Sequence, residues 1–438
     1  MNFPSESIEV LEKLNFAGHK AYFVGGSLRD SLLGKAISDI DLATSAHPDE
    51  VMELFSDHTI YPIGLKHGTL TLIYKKFPLE ITTFRTEGEY EKHRRPKSVR
   101  FSTSIEEDVQ RRDFTINALA YHPKEGLLDF VGGQEDLDKQ ILRTVGPPKD
   151  RFNEDALRMM RGLRFLASLG FSLDKKSKDA LFELKHLLKE VSPQRLKKEL
   201  NLLLMGDYAE DVLIKYYEIL GVFLPEILPM VDFEQQTPYH CYDVWTHTAK
   251  VVTYSKKDQA HRLAALFHDI EKPSTFYLDE RDIGHFPGHG IESAKTTKTI
   301  LTRLGYSNKM QKNVLPMILH HNSSIYPEIE SIARRIFYWG PKTFFDVLDL
   351  KRADNLAKEP AFIRSEKAYQ EVEDMAKDYL ANKPLLSYKD LDISSEQLME
   401  MGYTGKKLGF VLEKLIMAVF AGLANEKEAL VDYLLQNK

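Results

Sequence analysis

The sequence predicts an α+β chain: a small mixed α/β head followed by an all-helical neck, body and further domain. Three observations carry that reading. Short β-branched stretches alternating with period two lie in the first 145 residues. From Asp150 onward, apolar residues recur at three- and four-residue spacing with little interruption. Near Thr237-Pro238, histidines begin to cluster. These shifts divide the chain into a head over 1–145, a helical neck and body over 146–236, a histidine-bearing domain over 237–355 and a helical tail over 356–438.

In the head, Ala21-Tyr22-Phe23-Val24 is a short apolar strand ending at Gly25-Gly26, and a helix follows from Leu28 to Leu33. Thr69–Tyr74 and Leu79–Phe84 read as two further strands, with Pro78, beside Phe77 and Lys75-Lys76, marking the turn between them. Gly146-Pro147-Pro148 breaks the chain after the head. Asn153 is the expected N-cap of a helix buried through Leu157, Met160, Leu163, Leu166 and Ala167. Leu415–Ala424 is the longest apolar run and reads as a buried helix, since a membrane span needs about 20 residues.

Of 438 residues, 43% are hydrophobic and 28% charged, which suits a soluble chain with sizeable cores. A single cysteine, Cys241, excludes an intrachain disulfide. The N-terminal residues lack the basic and apolar regions of a signal peptide, so a cytoplasmic protein with no membrane association is expected. The net charge of −6 argues against a generally basic nucleic-acid binder, but Arg143–Leu200 holds 14 Lys+Arg against 8 Asp+Glu. That local excess could meet several phosphates, or simply be a solvated face.

Gly25-Gly26-Ser27-Leu28-Arg29-Asp30 follows a strand and opens a helix. Glycines admit a phosphate to the backbone, helix-start N–H groups face it, and Ser27 and Arg29 add donors. Asp39-Ile40-Asp41, placed on a strand, would present two carboxylates on one face. Their repulsion is relieved by hard divalent cations, which can activate a 3′-hydroxyl and stabilise a departing pyrophosphate. A surface Asp-x-Asp turn is the alternative for the tripeptide alone. Glu80, on a neighbouring strand, is either a third acidic group at the metals or an exposed strand residue.

Gly25-Gly26-Ser27 with Asp39-Ile40-Asp41 resembles the signature of the polymerase-beta-like nucleotidyltransferases. Val24–Asp30 with Ser38–Thr44 is similar to the class II tRNA nucleotidyltransferases, the CCA-adding enzymes, and to the related bacterial poly(A) polymerases. The resemblance implies a nucleotidyltransferase head with Asp39 and Asp41 as catalytic Mg²⁺ ligands, and Gly25, Gly26, Ser27 and Arg29 at the nucleotide. It also implies that Phe84–Gly88 and Glu91–Pro96 belong to the loop that family needs to add the terminal A. A surface hairpin is the plain reading of that polar stretch. Arg111-Arg112-Asp113-Phe114-Thr115-Ile116-Asn117-Ala118 matches a further family motif, which places Arg112, Asp113 and Asn117 at the nucleotide.

Asp155 and Arg158, in Glu154-Asp155-Ala156-Leu157-Arg158, are i and i+3 on the expected helix, hence neighbours. Such a pair is commonly a surface ion pair. A carboxylate that only accepts and a guanidinium that only donates would, however, match cytosine or adenine and oppose the carbonyls of guanine and uracil. The family assigns that role to the matching motif; Arg161 and Arg164 follow as triphosphate or ribose contacts. Ser192–Leu200 opens an amphipathic helix whose basic face suits a tRNA acceptor stem or solvent equally.

The order His247, His268-Asp269, His289, His320-His321 and Asp354 resembles the HD phosphohydrolase superfamily. It implies a divalent-metal site with His247, His268, Asp269 and Asp354 as ligands and His289 and His320 as further contacts. Glu271 stands where that family usually has glycine, a bulky acid beside the site.

The expected activity is addition of C, C and A to a tRNA 3′ end from CTP and ATP. The alternatives are an enzyme adding only A after a partner has added CC, a bacterial poly(A) polymerase, chiefly an HD phosphohydrolase, or an RNA-binding protein without catalysis. Neither the HD metal's identity nor an oligomeric state follows from the sequence.

Overall fold

The computed structural model describes every residue except Asn2, Ser38, Glu89, 92–94, Lys97, Ser98, Lys383 and Lys438, and the side chains of Ile63, Glu87, Tyr90, Glu91, Arg95 and Pro96. Two compact units divide the chain, Met1–Pro225 and Glu226–Lys438.

The first unit begins with a helix, Ser5–Phe16, against a seven-stranded sheet. Its strands are β1 (Ala21–Val24), β2 (Ile40–Thr44), β3 (Thr59–Gly64), β4 (Thr69–Tyr74) and β5 (Phe77–Thr83). After them come the short strands β6 (Arg85–Glu87), β7 (Tyr90–Glu91), β8 (Arg95–Pro96) and β9 (Val99–Phe101), then β10 (Leu119–His122) and β11 (Gly126–Asp129). The sheet order is β11-β10-β1-β2-β5-β4-β3, with β2 and β5 parallel and the other neighbours antiparallel. Separate ribbons join β6 to β9 and β7 to β8, so the polar stretch after Phe84 is a two-part hairpin; Lys92, His93 and Arg94 of the expected loop lie outside the described residues.

Alternation explains which face each side chain takes. On β5, Leu79, Ile81 and Thr83 are buried while Glu80 is exposed between them. On β2, Ile40 and Leu42 are buried on one face, and Asp41 points to the other. The expected turn at Pro78 is displaced. Lys75 and Lys76 form it, with φ of 48° and 71°, as a two-residue hairpin that matches strand twist requires. Pro78 sits within β5 opposite Ile73, one residue before β5 begins pairing with β2, where its missing N–H costs no ladder bond.

The neck starts with the helix Pro148–Glu154, breaks at Asp155, and resumes as Leu157–Leu169. Asn153 therefore lies inside the first helix rather than at an N-cap. The break comes from Asp155, whose backbone is extended (φ −139°, ψ 103°) and whose Oδ1 accepts from Leu157 N at 3.1 Å. Leu157–Leu169 packs on the helix Pro193–Leu204. A two-residue parallel ribbon, Ile141–Leu142 with Ser172–Leu173, interrupts the helical run.

The second unit is helical apart from a small ribbon, Tyr277–Leu278 with Gly284–His285. Its helices include Val244–Tyr254, Gln259–Phe267, His289–Arg303, Asn308–His320, Ile329–Trp339 and Pro341–Leu356. The tail helices pack through Leu398, Leu415, Ile416 and Leu430 against Ala333. The expected apolar helix is Lys406–Phe420, which buries Leu415, Ile416 and Phe420 and stops before Ala421. No helix among the described residues is long and apolar enough to cross a membrane.

Gly25 opens the helix Gly25–Leu32 with φ +71°, and a Cβ there would lie 2.7 Å from Asp41 Oδ2. At Gly26 the nearest atom to a Cβ would be an Arg29 nitrogen, 3.7 Å away. Gly25→Ala is therefore expected to destabilise the first unit by roughly 2–3 kcal/mol, and Gly26→Ala by under about 1 kcal/mol. Thermal unfolding of the two variants checks the contrast.

Candidate active-site cleft and histidine–aspartate centre

The middle of the head sheet places Asp41 between Val24 of β1 and Glu80 of β5, in register with both. Asp39 lies in the bend before β2, exposed, so the side-by-side carboxylate of Asp41 is Glu80 on the next strand. Burial, then the charges of Glu80 and Asp39, push the Asp41 carboxyl up to about 6, against the pull of Arg112 and a backbone N–H from Gly26. Ser27, expected to donate to phosphate, is buried; its hydroxyl donates to Val24 O at 3.0 Å and accepts from Asp41 N at 3.3 Å. It braces the turn beneath Asp41.

These carboxylates open into a cleft of about 860 Å³ whose lining includes Gly25, Gly26, Arg29, Asp41 and Glu80 from the sheet side and Asp155, Arg158, Arg161, Arg164 and Arg195 from the helices. Arg112, Asp113 and Asn117 line it between them. Eight arginines and four carboxylates face it among the described residues, a balance suited to a polyanion.

A buried network fixes the arginines. Arg29 Nη1 donates to Asn117 Oδ1 at 2.7 Å, and Asn117 Nδ2 reaches Asp113 Oδ1 at 3.4 Å. Asp113 Oδ2 accepts from Arg161 Nε at 2.7 Å, and its Oδ1 accepts from Phe114 N at 2.8 Å. Burial works to raise the Asp113 carboxyl, but Arg161 and Arg158 outweigh it and hold it at about 2. Arg112 is held by Asp108, which is fully buried, and Arg164 by Glu199. The ring of Phe165 lies under three guanidiniums, 5.2, 5.7 and 4.2 Å from Arg29, Arg161 and Arg164.

Asp155 and Arg158 both line the cleft, but the helix break separates them and each has another partner. Asp155 Oδ2 accepts from Arg195 at 2.7 Å; Arg158 is buried and donates to Glu154, to Arg151 O and to Arg111 O. Asp108, Phe165, Arg195 and Glu199 were not singled out by the sequence. Arg195 and Glu199 carry the one available signal, opposite charges at i and i+4 on an amphipathic helix.

In the second unit, His247, His268, Asp269 and Asp354 converge, and Asp269 meets His289 and His321 as well. His321 takes the place expected for His320, whose ring instead stacks on Trp339 at 4.4 Å. The Nδ1 atoms of His247, His268, His289 and His321 each contact a backbone carbonyl: Ala357, Ala265, Phe286 and Ile318. A carbonyl only accepts, so each Nδ1 carries the proton and each Nε2 faces the centre. His289 Nε2 and His321 Nε2 lie 3.1 Å apart. Burial lowers both, His289 to about 4, so two lone pairs face each other at neutral pH. Asp269 Oδ2 lies 3.1 Å from His268, and its Oδ1 3.4 Å from both His289 and His321. Opposed lone pairs around a buried carboxylate fit divalent cations. Glu271 turns away from this centre, accepting from Ser274 and Thr296.

Three stretches of the chain match known family models. Residues 21–143 match the family model described as the poly A polymerase head domain. Residues 170–230 match a probable RNA and SrmB-binding site of polymerase A, and residues 238–359 an HD domain. The chain thus carries, in order, stretches similar to a poly A polymerase head, to that RNA-binding segment and to an HD domain. Among individual proteins it is similar to CCA-adding enzymes. It is 44% identical to that of Anoxybacillus flavithermus over 259 residues, covering 58% of this chain and 65% of that protein. It is 49% identical to that of Bacillus cereus over 209 residues, covering 48% and 52%. The aligned region thus spans about half to just under two thirds of these curated relatives. The solved Bacillus stearothermophilus CCA-adding enzyme in complex with CTP superimposes with a TM-score of 0.73 at 27% identity, covering 100% of this chain and 98% of that one. The Thermotoga maritima enzyme complexed with tRNA shares the fold, with a TM-score of 0.57 at 20% identity.

Two outcomes follow from the electrostatics. Asp41 has its folded pKa above the usual 3.8, so ionising it costs stability; the cost is absent below pH 3.8 and full above about pH 6. Asp41→Asn should therefore stabilise the metal-free protein at pH 7 by about 1–2 kcal/mol, measured by denaturant unfolding with chelator, even though it removes a proposed catalytic group. In the second centre, burial opposes charge on His268, yet Asp269 and Asp354 push it up to about 9. A metal must displace that proton, so Mn²⁺ affinity, titrated in the Asp41→Asn background, should rise by up to about tenfold per pH unit between pH 7 and 9.

Proposed function

We propose that this chain is a template-independent nucleotidyltransferase that adds C, C and A to the 3′ end of tRNA, using CTP and ATP. The observation that carries the reading is one cleft joining a carboxylate cluster on the sheet to a wall of arginines. The likeness to a CTP-bound CCA-adding enzyme along the whole chain supports it. In the proposed reaction the tRNA 3′-hydroxyl attacks the α-phosphorus of the bound nucleotide. A phosphodiester forms, the bond to the β-phosphate breaks, and pyrophosphate leaves with the electron pair.

Asp39 and Asp41, with Glu80 beside them, are the residues that would hold Mg²⁺. The raised Asp41 carboxyl in a concentration of negative charge fits such an ion. Bound there, Mg²⁺ would supply charge neutralisation at the nucleophile and the leaving group. Gly25 and Gly26 admit the triphosphate to the backbone, and Ser27 holds that turn in shape. Arg29, Arg112, Arg161 and Arg164 neutralise triphosphate and ribose oxygens, with Asp113 and Asn117 setting their positions. Asp155 and Arg158 lie at the proposed base-selecting end. The helix Pro193–Leu204 is the proposed contact for the tRNA acceptor end.

The division into 1–145, 146–236, 237–355 and 356–438 belongs to the same proposal. So do a cytoplasmic setting and a second centre in which His247, His268, Asp269, His289, His321 and Asp354 hold divalent metal for phosphoester hydrolysis.

The test uses tRNA transcripts ending before CCA, after C and after CC. Each is incubated with Mg²⁺ and each nucleoside triphosphate, then read at single-nucleotide resolution. Completion of all three to CCA, with G and U refused, is expected. Extension of the CC-ended transcript alone, by one A, would make it an A-adding enzyme. Long A tracts would make it a poly(A) polymerase. Asp41→Asn should lower incorporation at least about 1,000-fold.

A further inference from the structure

Phe165 stands on the neck helix Leu157–Leu169, is 5% exposed, and lines the cleft. Arg29, Arg161 and Arg164 all lie over its ring, their guanidinium carbons 5.2, 5.7 and 4.2 Å from the centroid. Arg29 comes from the helix Gly25–Leu32 and the other two from the neck helix, so one ring serves cations from both sides of the cleft. Phe114 meets the ring in a T-shaped contact, 5.7 Å between centroids and 82° between planes, which keys it in place.

Each guanidinium also has a carboxylate: Asp30 at 2.7 Å for Arg29, Asp113 at 2.6 Å for Arg161 and Glu199 at 3.2 Å for Arg164. Such partners take N–H donors, and every donor so used is one fewer for a ligand phosphate. A ring face works differently. Its negative quadrupole attracts the cation as a whole and consumes no donor. The three like charges also repel one another. Burial and the charges of Arg161 and Arg29 lower the Arg164 guanidinium, against the pull of Glu199 and Asp113. An aliphatic side chain would fill the same space and do nothing against that repulsion.

We propose that Phe165 is a positioning residue for the triphosphate: its ring face gathers three cations without occupying the donors that the phosphates use. The inference rests on the transferase reading above and extends it to a residue that acts through the arginines. The phosphate end is common to all four nucleotides, so the ring sets affinity and leaves the choice of base alone.

The experiment places phenylalanine analogues with one, two and three ring fluorines at position 165 alone, in the full-length protein, beside Phe165→Leu. Fluorine withdraws negative charge from the ring face and nearly preserves its shape. For each variant, kcat and KM for the four nucleotides on the three tRNA transcripts are measured, together with inhibition by pyrophosphate. KM and the pyrophosphate inhibition constant are expected to rise together with each added fluorine, reaching about fivefold at three, while kcat changes less than about twofold. Phe165→Leu is expected to raise both constants about tenfold, with the CTP/UTP and ATP/GTP ratios of kcat/KM within about twofold of wild type. The same fluorine series at Phe114, which packs against the Phe165 ring, is expected to leave KM within about twofold. A flat KM across the Phe165 series would overturn the proposal, since shape alone would then account for the residue. So would an equal rise at Phe114. The fluorinated rings keep the side chain's shape, so the test stands even where Phe165→Leu does not fold. The wild-type arm separates the two readings. No incorporation at all defeats the transferase, whereas C and A incorporation with a flat fluorine series defeats the role of Phe165 alone.

Discussion

The ion pair between Asp113 and Arg161 sets the geometry of the first unit. Asp113 follows the helix Ile105–Gln110, and Arg161 stands on the neck helix, so the pair joins the sheet side of the cleft to its helical side. Removing Arg161 leaves the buried Asp113 charge without its partner, typically about 3–5 kcal/mol, whereas Arg161 is part-exposed and loses less when Asp113 is removed. The pair is also the hub of a chain that runs through Asn117 to Arg29 at the glycine turn. The cleft walls are therefore spaced by directional bonds as well as by apolar packing. That is the preorganisation a site needs when it must recognise a flexible polyanion.

Opposite charge logic governs the sheet floor. Asp41 and Glu80 are in register on parallel strands, and their repulsion helps raise the Asp41 carboxyl against the pull of Arg112. The second unit is built differently, with the Nε2 atoms of four imidazoles turned toward one buried aspartate. An all-carboxylate floor suits a hard ion such as Mg²⁺, whereas mixed histidine and aspartate suits a wider set of divalent metals. Two different donor sets are thus housed in separate units of one chain.

Much of this was readable from local sequence. The strand alternation, the Gly25-Gly26 turn, Asp39-Ile40-Asp41 and Arg111–Ala118 are continuous patterns, and continuous patterns survive folding. What escaped reading depends on packing between distant segments. Glu80 reads either as a third acidic group or as an exposed strand residue; its place beside Asp41 comes from β5 lying next to β2, although 39 positions separate them in the chain. Consecutive histidines on a helix point about 100° apart. Packing separates them here: His320 stacks on Trp339, and His321 turns to the metal-type centre. The helix break at Asp155 was hidden because its neighbours keep helical spacing, while the aspartate itself caps the next helix. Arg195 reads as one more cation of a basic face, and its tie to Asp155 comes from packing between distant helices.

The central claim is that protein groups in the cleft choose the base before any RNA takes part. Equilibrium binding of CTP, ATP, GTP and UTP to the full-length protein, with Mg²⁺ and without tRNA, tests it most directly. The account predicts measurable affinity for CTP and ATP, with GTP and UTP at least about tenfold weaker. Equal binding of all four nucleotides would contradict it and would move base selection to the complex with tRNA.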